Sequence, residues 1–301
     1  MNYLLLKESI ENIPSYKKVG IIGLGFVGGA ILKSFKLKNI DVIGYDKYKN
    51  NISQSCYELD SSLNSLLLHN LTYNTFESML ETNIIFLCLP TLFNEETQSY
   101  DKSSIYETCS KLSENNYNGI VVIKSTIEPE TTTKLSVLYS NLNLIHNPEF
   151  LTARTAFEDF HNMTHNVIGC SRDLSQGQEL AEFYRLYYPT AYISICMSVE
   201  SESMKIFCNS FYASKIMLFN EYYLLCQKNN SNFNTIKDLM LKNNWINPMH
   251  TNIPGRDGLL GYGGACFPKD TKALLNYMKD HNAHSSILES VINSCDNIRK
   301  Q

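Results

Sequence analysis

The chain has 301 residues, a mass of 34.4 kDa and 44% hydrophobic residues, which is enough to bury a large core and to form two domains. Its net charge of -4 at pH 7 and its scattered lysines argue against nucleic acids and acidic membranes as partners. We therefore expect a folded protein that binds a small molecule.

The sequence shows no pattern typical of a targeting or membrane segment. We interpret residues 1–17 as an N-terminal extension, because their apolar run is too short and too charged for a signal peptide. The longest apolar stretch, residues 19–32, is interrupted by glycines and is shorter than the roughly 18 apolar residues that a membrane helix requires. We expect a soluble protein without a membrane partner.

The nine cysteines are well separated in the sequence, and none forms a Cys-x-x-Cys pair. This spacing favours reduced thiols in a cytoplasmic compartment over a disulfide framework or a zinc cluster. His161 and His165 have the spacing of ligands on a helix, but the sequence offers them no third ligand, and we expect no metal site.

In residues 18–197, short aliphatic runs alternate with longer amphipathic stretches, which is typical of parallel strands joined by helices. The predicted strands cover residues 18–23, 41–46, 83–89, 119–125, 143–146, 166–170 and 191–196. We expect an α/β fold whose N-terminal domain is of the Rossmann type, with a doubly wound, mostly parallel sheet covered by helices on both faces.

Residues 198–301 are predicted to form an all-helical central domain. Residues 198–228 contain neither glycine nor proline, which indicates one helix of about thirty residues or two in near continuity. Because this helix is apolar on most sides, we expect it to form a homodimer interface, unless the rest of the domain covers it. A helix over 234–243, a glycine-rich loop over 248–265 and two closing helices complete the domain.

The first predicted strand leads directly into Gly23, Gly25 and Gly28, a G-x-G-x-x-G pattern at the start of a helix. Such glycines permit a tight turn and the close approach of a pyrophosphate to the helix N-terminus. Asp46 ends the second strand, where a carboxylate accepts the ribose hydroxyls of NAD and repels the 2′-phosphate of NADP. The pattern favours NAD. The alternative is that the glycines only let strand and helix pack, and that Asp46 caps a turn.

Cys266 follows a glycine-rich stretch that contains Gly263 and Gly264. Glycines there would let a bulky substrate approach the sulfur, and the N-terminus of a helix predicted to begin at Phe267 would favour a reactive thiolate. The segment is therefore a candidate site for a catalytic nucleophile. The alternative is a buried, inert cysteine in a flexible loop.

Two other segments carry groups suited to the same chemistry. Lys205 and Asn209 lie four residues apart on the long helix, so both could donate hydrogen bonds to a developing oxyanion. Exposed helices also carry such pairs routinely. Glu149 follows a predicted strand, where an open α/β sheet binds its ligands, although it could only cap the next helix.

Five motifs occur together and in the same order as in a known family. They are GLGFVG at residues 23–28, Val122–Ile127, Asn147–Leu151, Lys205 with Asn209 and the following Glu221, and Gly261–Asp270. Over residues 18–300 the chain thus resembles the UDP-glucose/GDP-mannose dehydrogenases. Each motif alone is weak, but the set is highly specific.

The resemblance implies an NAD-dependent oxidoreductase that converts the 6-hydroxymethyl group of a nucleotide sugar to a carboxylate, with UDP-glucose and UDP-glucuronate as the expected pair. It implies that Cys266 is the nucleophile, which forms a thiohemiacetal and then a thioester during two hydride transfers. Lys205 and Asn209 would stabilise the oxyanion, and Asp270, Thr126 and Glu149 would position or activate water.

The resemblance also extends the sets of binding residues. The cofactor residues are then Gly23, Gly25, Phe26, Val27, Gly28, Asp46, Thr91, Thr126 and Cys266. The substrate residues are then Glu149, Phe150, Leu151, Lys205, Asn209, Arg256, Gly263 and Gly264.

The sequence departs from the family pattern in two respects. Ala153 stands where the family has a second glutamate, four residues after Glu149, so a cofactor or water contact is expected to be lost. The sequence ends at Gln301, where the family's third domain is approached, and we expect a chain without that nucleotide-binding domain. Two alternatives stay open: an NAD-binding or regulatory module without catalysis, and a single-step dehydrogenase of the hydroxyacid type, which the retained Cys266 disfavours.

Overall fold

The computed structural model describes residues 18–48 and 74–299, so the predicted extension over residues 1–17 lies outside the described residues. The chain divides into two compact units. Of the described residues, the first unit comprises 18–48, 74–91 and 102–202, and the second comprises 92–101 and 203–299. The backbone therefore passes between the units three times, after residues 91, 101 and 202, and the third passage lies within the helix Ser198–Asn229.

Within the described residues, the strands in chain order are β1 (Val19–Ile22), β2 (Val42–Tyr45), β3 (Ile84–Leu87), β4 (Phe93–Asn94), β5 (Ser99–Tyr100), β6 (Ile120–Ile123), β7 (Asn143–His146), β8 (His165–Cys170) and β9 (Tyr192–Met197). Seven of these form one sheet in the order β2-β1-β3-β6-β7-β8-β9, in which only the β7–β8 pair is antiparallel. All seven predicted strands are confirmed, as is the mostly parallel sheet.

The described helices in chain order are α1 (Phe26–Leu37), α2 (Phe76–Met79), α3 (Ser103–Glu114), α4 (Thr131–Leu138), α5 (Ala156–His161), α6 (Gln178–Tyr187), α7 (Ser198–Asn229), α8 (Phe233–Leu241), α9 (Phe267–Asp280) and α10 (Ser286–Arg299). Short 3-10 turns cover Ala153–Thr155 and Leu174–Gly177. The predicted long helix is confirmed as one continuous element of 32 residues. None of the described helices combines the length and apolarity needed to cross a membrane.

The inner strands β1, β3 and β6 of the large sheet are continuous apolar runs because both of their faces are covered. Along β3, Ile84 and Phe86 enter one core, whereas Ile85 and Leu87 enter another, as the alternation of side chains along a strand requires. The first core is completed by α1, α5 and α6, and the second by α3 and α4. This layering is the predicted doubly wound arrangement.

The second unit is helical except for a two-stranded antiparallel ribbon formed by β4 and β5. Tyr100 of this ribbon is buried with Ile206 of α7, Leu274 of α9 and Leu288 of α10. The ribbon precedes all of these partners in the sequence by more than a hundred residues, so the predicted helical domain, which starts at residue 198, does not include it. Burial of its aromatic side chains explains why it belongs to this unit.

Candidate active site

The glycine turn between β1 and α1 combines two glycines that packing requires with one that borders open space. A Cβ at Gly23, whose φ is +90°, would lie 2.4 Å from the carbonyl oxygen of Cys88, and one at Gly28 would lie 1.9 Å from that of Gly23. A Cβ at Gly25 would meet nothing within 4 Å. Packing alone therefore accounts for two of the three glycines, and the space beside Gly25 opens at the N-terminus of α1.

Asp46 is bonded to this turn. Its Oδ2 accepts a hydrogen bond from the backbone nitrogen of Leu24 at 2.8 Å, and its Oδ1 accepts one from that of Tyr48 at 2.9 Å. The carboxylate thus caps the turn after β2 and at the same time lies beside the glycine loop. Of the adjoining residues, Val27 packs against the core and Phe26 is exposed.

The loops after β3 and β6 bring Thr91 and Thr126 together. The hydroxyl of Thr91 donates to the carbonyl oxygen of Thr126 at 2.7 Å. One residue earlier, the hydroxyl of Ser125 donates to the carbonyl oxygen of Leu89 at 2.6 Å and accepts from its nitrogen at 3.1 Å. Because β3 and β6 are parallel neighbours, these loops lie at the edge of the sheet where α/β proteins bind ligands.

Glu149 stabilises the turn in which it lies rather than a following helix. Its Oε2 accepts a hydrogen bond from the backbone nitrogen of Leu151 at 2.6 Å, whereas α5 begins only at Ala156. Leu151 packs against the first core, and Phe150 is exposed. The side chains of this predicted substrate segment therefore face different environments.

A buried cation beneath this turn was missing from the sequence-based site. Lys124 is only 2% exposed, and its ammonium donates to Asn147 Oδ1 at 3.0 Å and to the Pro148 carbonyl at 3.3 Å. The hydroxyl of Tyr184 donates to the same Asn147 oxygen at 2.7 Å. A buried charge needs such acceptors, so Lys124 fixes the segment that leads into Glu149.

Cys88, at the end of β3, is not suited to act as a nucleophile. Burial raises the pKa of this thiol to about 12, while the nearby charge of Lys124 lowers it and that of Glu149 raises it by smaller amounts. The thiol therefore stays protonated at neutral pH, and only the thiolate is strongly nucleophilic.

In the second unit, Cys266 is an exposed cysteine at the N-cap of α9, and the predicted start of this helix at Phe267 is confirmed. All the other cysteines in the described part of the chain are buried or half-buried. A thiol at the N-terminus of a 14-residue helix experiences its partial positive charge. The alternative of a buried, inert cysteine does not fit this position.

Lys205 and Asn209 are buried, at 5% and 8% exposure, so they are not a routine pair on an exposed helix. The amide nitrogen of Asn209 donates to Asp270 Oδ2 at 2.5 Å. On the other carboxylate oxygen, Oδ1, the fully buried Asp270 accepts from Tyr100 at 2.5 Å and from Lys269 at 2.6 Å. Tyr100 was missed because no motif marks it.

The glycine-rich loop before Cys266 is held by two side chains that the sequence did not single out. Asn220 of α7 accepts from the nitrogen of Gly261 at 2.9 Å, and Arg299 of α10 donates to the carbonyls of Leu260 and Gly261 at 3.2 and 3.3 Å. A Cβ at Gly263 would lie 2.7 Å from the Arg299 guanidinium. A side chain at position 263 would therefore displace the guanidinium of Arg299 from its present place.

Gly264 differs from its neighbour, because a Cβ there would meet nothing within 4 Å, although its φ of +79° favours glycine. Of the two predicted substrate glycines, Gly264 therefore borders open space. Arg256, in the same loop, is exposed. Burial lowers the pKa of His250, and the charges of Lys215 and, by a smaller amount, of Arg256 lower it further. Residues 18–48 and 74–299 contain no cluster of three or more side chains able to hold a metal ion.

Two family models match the chain in succession. The NAD binding domain of the UDP-glucose/GDP-mannose dehydrogenase family matches residues 17–188, and the central domain of that family matches residues 199–297. A UDP-glucose 6-dehydrogenase from Rickettsia felis is 30% identical over 298 residues, which cover 92% of this chain and 64% of that relative. The chain thus spans less than two thirds of the length of this relative.

Solved structures show the same fold. A UDP-glucose dehydrogenase from the archaeon Pyrobaculum islandicum matches with a TM-score of 0.82 at 23% identity, over 95% of this chain and 69% of that one. A UDP-D-ManNAc dehydrogenase from Pyrococcus horikoshii matches with a TM-score of 0.77 at 21% identity, over 93% of this chain and 68% of that one.

Proposed function

Because the chain belongs to the UDP-glucose/GDP-mannose dehydrogenase family, we propose that it oxidises the 6-hydroxymethyl group of UDP-glucose to the carboxylate of UDP-glucuronate with NAD. One observation carries this proposal. Cys266 is an exposed thiol at the N-terminus of α9, and the same helix carries Asp270, which binds Asn209. An accessible thiol at the start of a helix whose next turn holds a buried amide donor supports covalent catalysis by this segment.

The glycine turn fits NAD, because the space beside Gly25 is open at the N-terminus of α1. A pyrophosphate in this space would accept hydrogen bonds from the backbone N–H groups of that terminus. Gly23, Gly25, Phe26, Val27 and Gly28 would hold the pyrophosphate. Asp46 would accept the ribose hydroxyls, and Thr91, Thr126 and Cys266 would line the nicotinamide side. Two NAD molecules would be consumed per sugar, because each accepts one hydride and the two oxidations release two.

Cys266 makes the second oxidation possible, because an aldehyde cannot lose a hydride until a nucleophile has added to its carbonyl carbon. The sulfur forms a bond to that carbon, and the carbonyl electron pair moves to oxygen as an alkoxide. Loss of a hydride from carbon then gives a thioester. Water attacks the thioester, the carbon–sulfur bond breaks, and the thiolate leaves as the carboxylate forms. Covalent attachment also prevents escape of the aldehyde.

Lys205 and Asn209 would stabilise the alkoxide. Asn209 donates one amide hydrogen to Asp270, and the same nitrogen carries a second hydrogen that we assign to the oxyanion. Each such donor is typically worth about 3 kcal/mol in the transition state. Thr126, Glu149 and Asp270 would position or activate the attacking water. The bond from Thr91 engages the carbonyl of Thr126 and not its hydroxyl.

The choice of UDP-glucose rests on the name of the Rickettsia felis relative. The proposed substrate contacts are Glu149, Phe150, Leu151, Lys205, Asn209, Arg256, Gly263 and Gly264. Structural neighbours named for UDP-glucose and for UDP-D-ManNAc share this fold, so the fold does not select the sugar.

The test is to incubate the purified protein with NAD and a panel of UDP- and GDP-sugars, and to count the NADH formed per sugar. Two NADH per UDP-glucose are expected. One would indicate an ordinary alcohol dehydrogenase, and none with any sugar would contradict the proposal in favour of a binding module. Cys266→Ala should abolish formation of UDP-glucuronate and of the second NADH, whereas the control Cys196→Ala, at a half-buried cysteine, should not.

We also propose a homodimer through α7. Several large apolar side chains are exposed along this helix, including Phe207, Phe211, Leu218 and Leu225. Their spacing places them along one stripe, which is typical of a helix packed against a partner. Leu218→Glu should convert a dimer to a monomer in sedimentation velocity. A wild-type monomer would contradict the proposal.

We place this reaction in the cytoplasm. The cysteines in the described part of the chain form no disulfide with one another, as in proteins of reducing compartments. NAD and nucleotide sugars would have to be present in the same compartment. Fractionation of cells that produce the protein tests this assignment, and recovery in a secreted fraction would contradict it.

A further inference from the structure

Tyr100 brings a phenol from the β4–β5 ribbon to the carboxylate of Asp270. Its hydroxyl lies 2.5 Å from Oδ1, and the side chains are 170 positions apart in the sequence. Tyr100 is 2% exposed and Asp270 is fully buried. A hydrogen bond to a buried charged acceptor is stronger than one between neutral groups, because little water competes with it.

The two oxygens of Asp270 have different partners. Oδ1 accepts from Tyr100 and Lys269, and Oδ2 accepts from Asn209. Rotation of the carboxylate about its Cβ–Cγ bond would break all three bonds at once. The donors on Oδ1 therefore fix the direction in which Oδ2 faces the amide of Asn209.

Tyr100 also orients the second donor on Oδ1. The ammonium of Lys269 lies 4.5 Å from the centre of the Tyr100 ring, over its face. The ring and the hydroxyl thus act on Lys269 and Asp270 separately. Tyr100→Phe removes the hydroxyl and keeps both the ring under Lys269 and the apolar packing of the ribbon.

We propose that Tyr100 is a positioning residue, which holds the carboxylate of Asp270 so that the amide of Asn209 is fixed for stabilising the oxyanion. The role of Asn209 rests on the proposed function above. The ribbon that carries Tyr100 follows directly on Thr91 in the chain, so the segment predicted to line the cofactor site continues into the one that orients Asp270.

The kinetic test compares wild type with Tyr100→Phe, using NAD and UDP-glucose. Removing one oxyanion donor typically costs 10²–10³-fold in kcat, and a misoriented donor should cost less, so we expect kcat to fall about tenfold with KM changed less than about threefold. In an Asn209→Ala background, Tyr100→Phe should have little further effect on kcat. An unchanged kcat, or the same loss in both backgrounds, would overturn the proposal.

A second measurement does not depend on activity. In chemical unfolding, Tyr100→Phe should lower the folding equilibrium constant about tenfold when Asp270 is present, and little when Asp270 is replaced by alanine or, should that variant not fold, by leucine, which also lacks an acceptor. Equal losses in both backgrounds would show that the bond contributes nothing. Tyr117→Phe, which removes a buried hydroxyl from the first unit, is the control and should leave kcat unchanged.

The two measurements separate the hypotheses. A wild type that forms no NADH but shows the Tyr100–Asp270 coupling would refute the proposed function and with it the kinetic role, while the structural link would stand. An active wild type whose kcat is insensitive to Tyr100→Phe would refute the positioning role and leave the proposed function in place.

Discussion

Replacement of Glu202 by glutamine is expected to stabilise the protein at alkaline pH and to have little effect at acidic pH. Glu202 is fully buried near the start of α7. Its Oε1 accepts from the backbone nitrogen and the hydroxyl of Thr132, at 2.8 and 2.5 Å. Its Oε2 is buried and has no hydrogen-bond partner among the described residues. An ionised carboxylate with one bare oxygen is costly in such a site.

Burial raises the pKa of Glu202 from 4.5 to about 7; the bonds from Thr132 and the nearby backbone N–H of Glu130 lower it, and the charge of Glu130 raises it by the smallest amount. Between pH 4.5 and about pH 7, Glu202 therefore keeps a proton in the folded protein that it has lost in the unfolded chain. The contribution of Glu202 to stability is therefore highest below pH 4.5 and falls as the pH rises to about 7. At about 1.4 kcal/mol per pKa unit, the loss is about 3 kcal/mol.

The assay is chemical unfolding of wild type and Glu202→Gln at intervals between pH 5 and pH 8.5. Glutamine resembles the protonated acid, so the two proteins should be nearly equal at pH 5. At pH 8 the variant should be more stable by up to about 3 kcal/mol. Glu182→Gln, at an exposed position on α6, removes the same charge and should show no such pH dependence. A stability difference that does not change with pH would refute the reasoning.

Other substitutions test the remaining features. Gly28→Ala should abolish NAD binding in calorimetry and lower the melting temperature, because its Cβ would lie 1.9 Å from a carbonyl oxygen, whereas Gly25→Ala should weaken NAD binding without changing the melting temperature. Equal effects on both would contradict the assignment of open space. Asp46→Asn should shift the ratio of NADP to NAD affinity towards NADP by about tenfold or more, and an unchanged ratio would remove Asp46 from the cofactor site. Arg299→Met should destabilise the protein by about 2 kcal/mol in chemical unfolding, because Asp257 and two loop carbonyls lose their donor. Unchanged stability would show that the loop is held otherwise.

The sequence was sufficient for the strands and the long helix because their patterns are local. The inner strands β1, β3 and β6 are buried along their whole length and therefore read as continuous apolar runs. The start of α9 at Phe267 followed from the glycine-rich stretch and the proline beside it. The glycine turn was recognisable because a tight turn restricts which residues can occupy it.

The partners of Asp270 could not be predicted in the same way. Tyr100 and Asn209 are 170 and 61 positions away from it, and the two-residue strands of the ribbon are too short to produce a pattern. The roles of Arg299 and Glu202 also depend on tertiary packing, since a charged side chain on a helix usually indicates an exposed face. In each case, the role of the side chain depends on which group, distant in the sequence, it contacts in the folded protein.

The β4–β5 ribbon limits how this polypeptide can be dissected. It departs from the Rossmann-type unit after Thr91, which is bonded to Thr126, and re-enters it at Lys102, whose ammonium lies 2.6 Å from Glu128. A fragment that ends before α7 would contain Phe93 and Tyr100 without the helices that bury them. A fragment that begins at α7 would lack both aromatic side chains from its core. The two fragments, produced separately, should therefore aggregate and fold poorly unless the ribbon is fused to the C-terminal fragment.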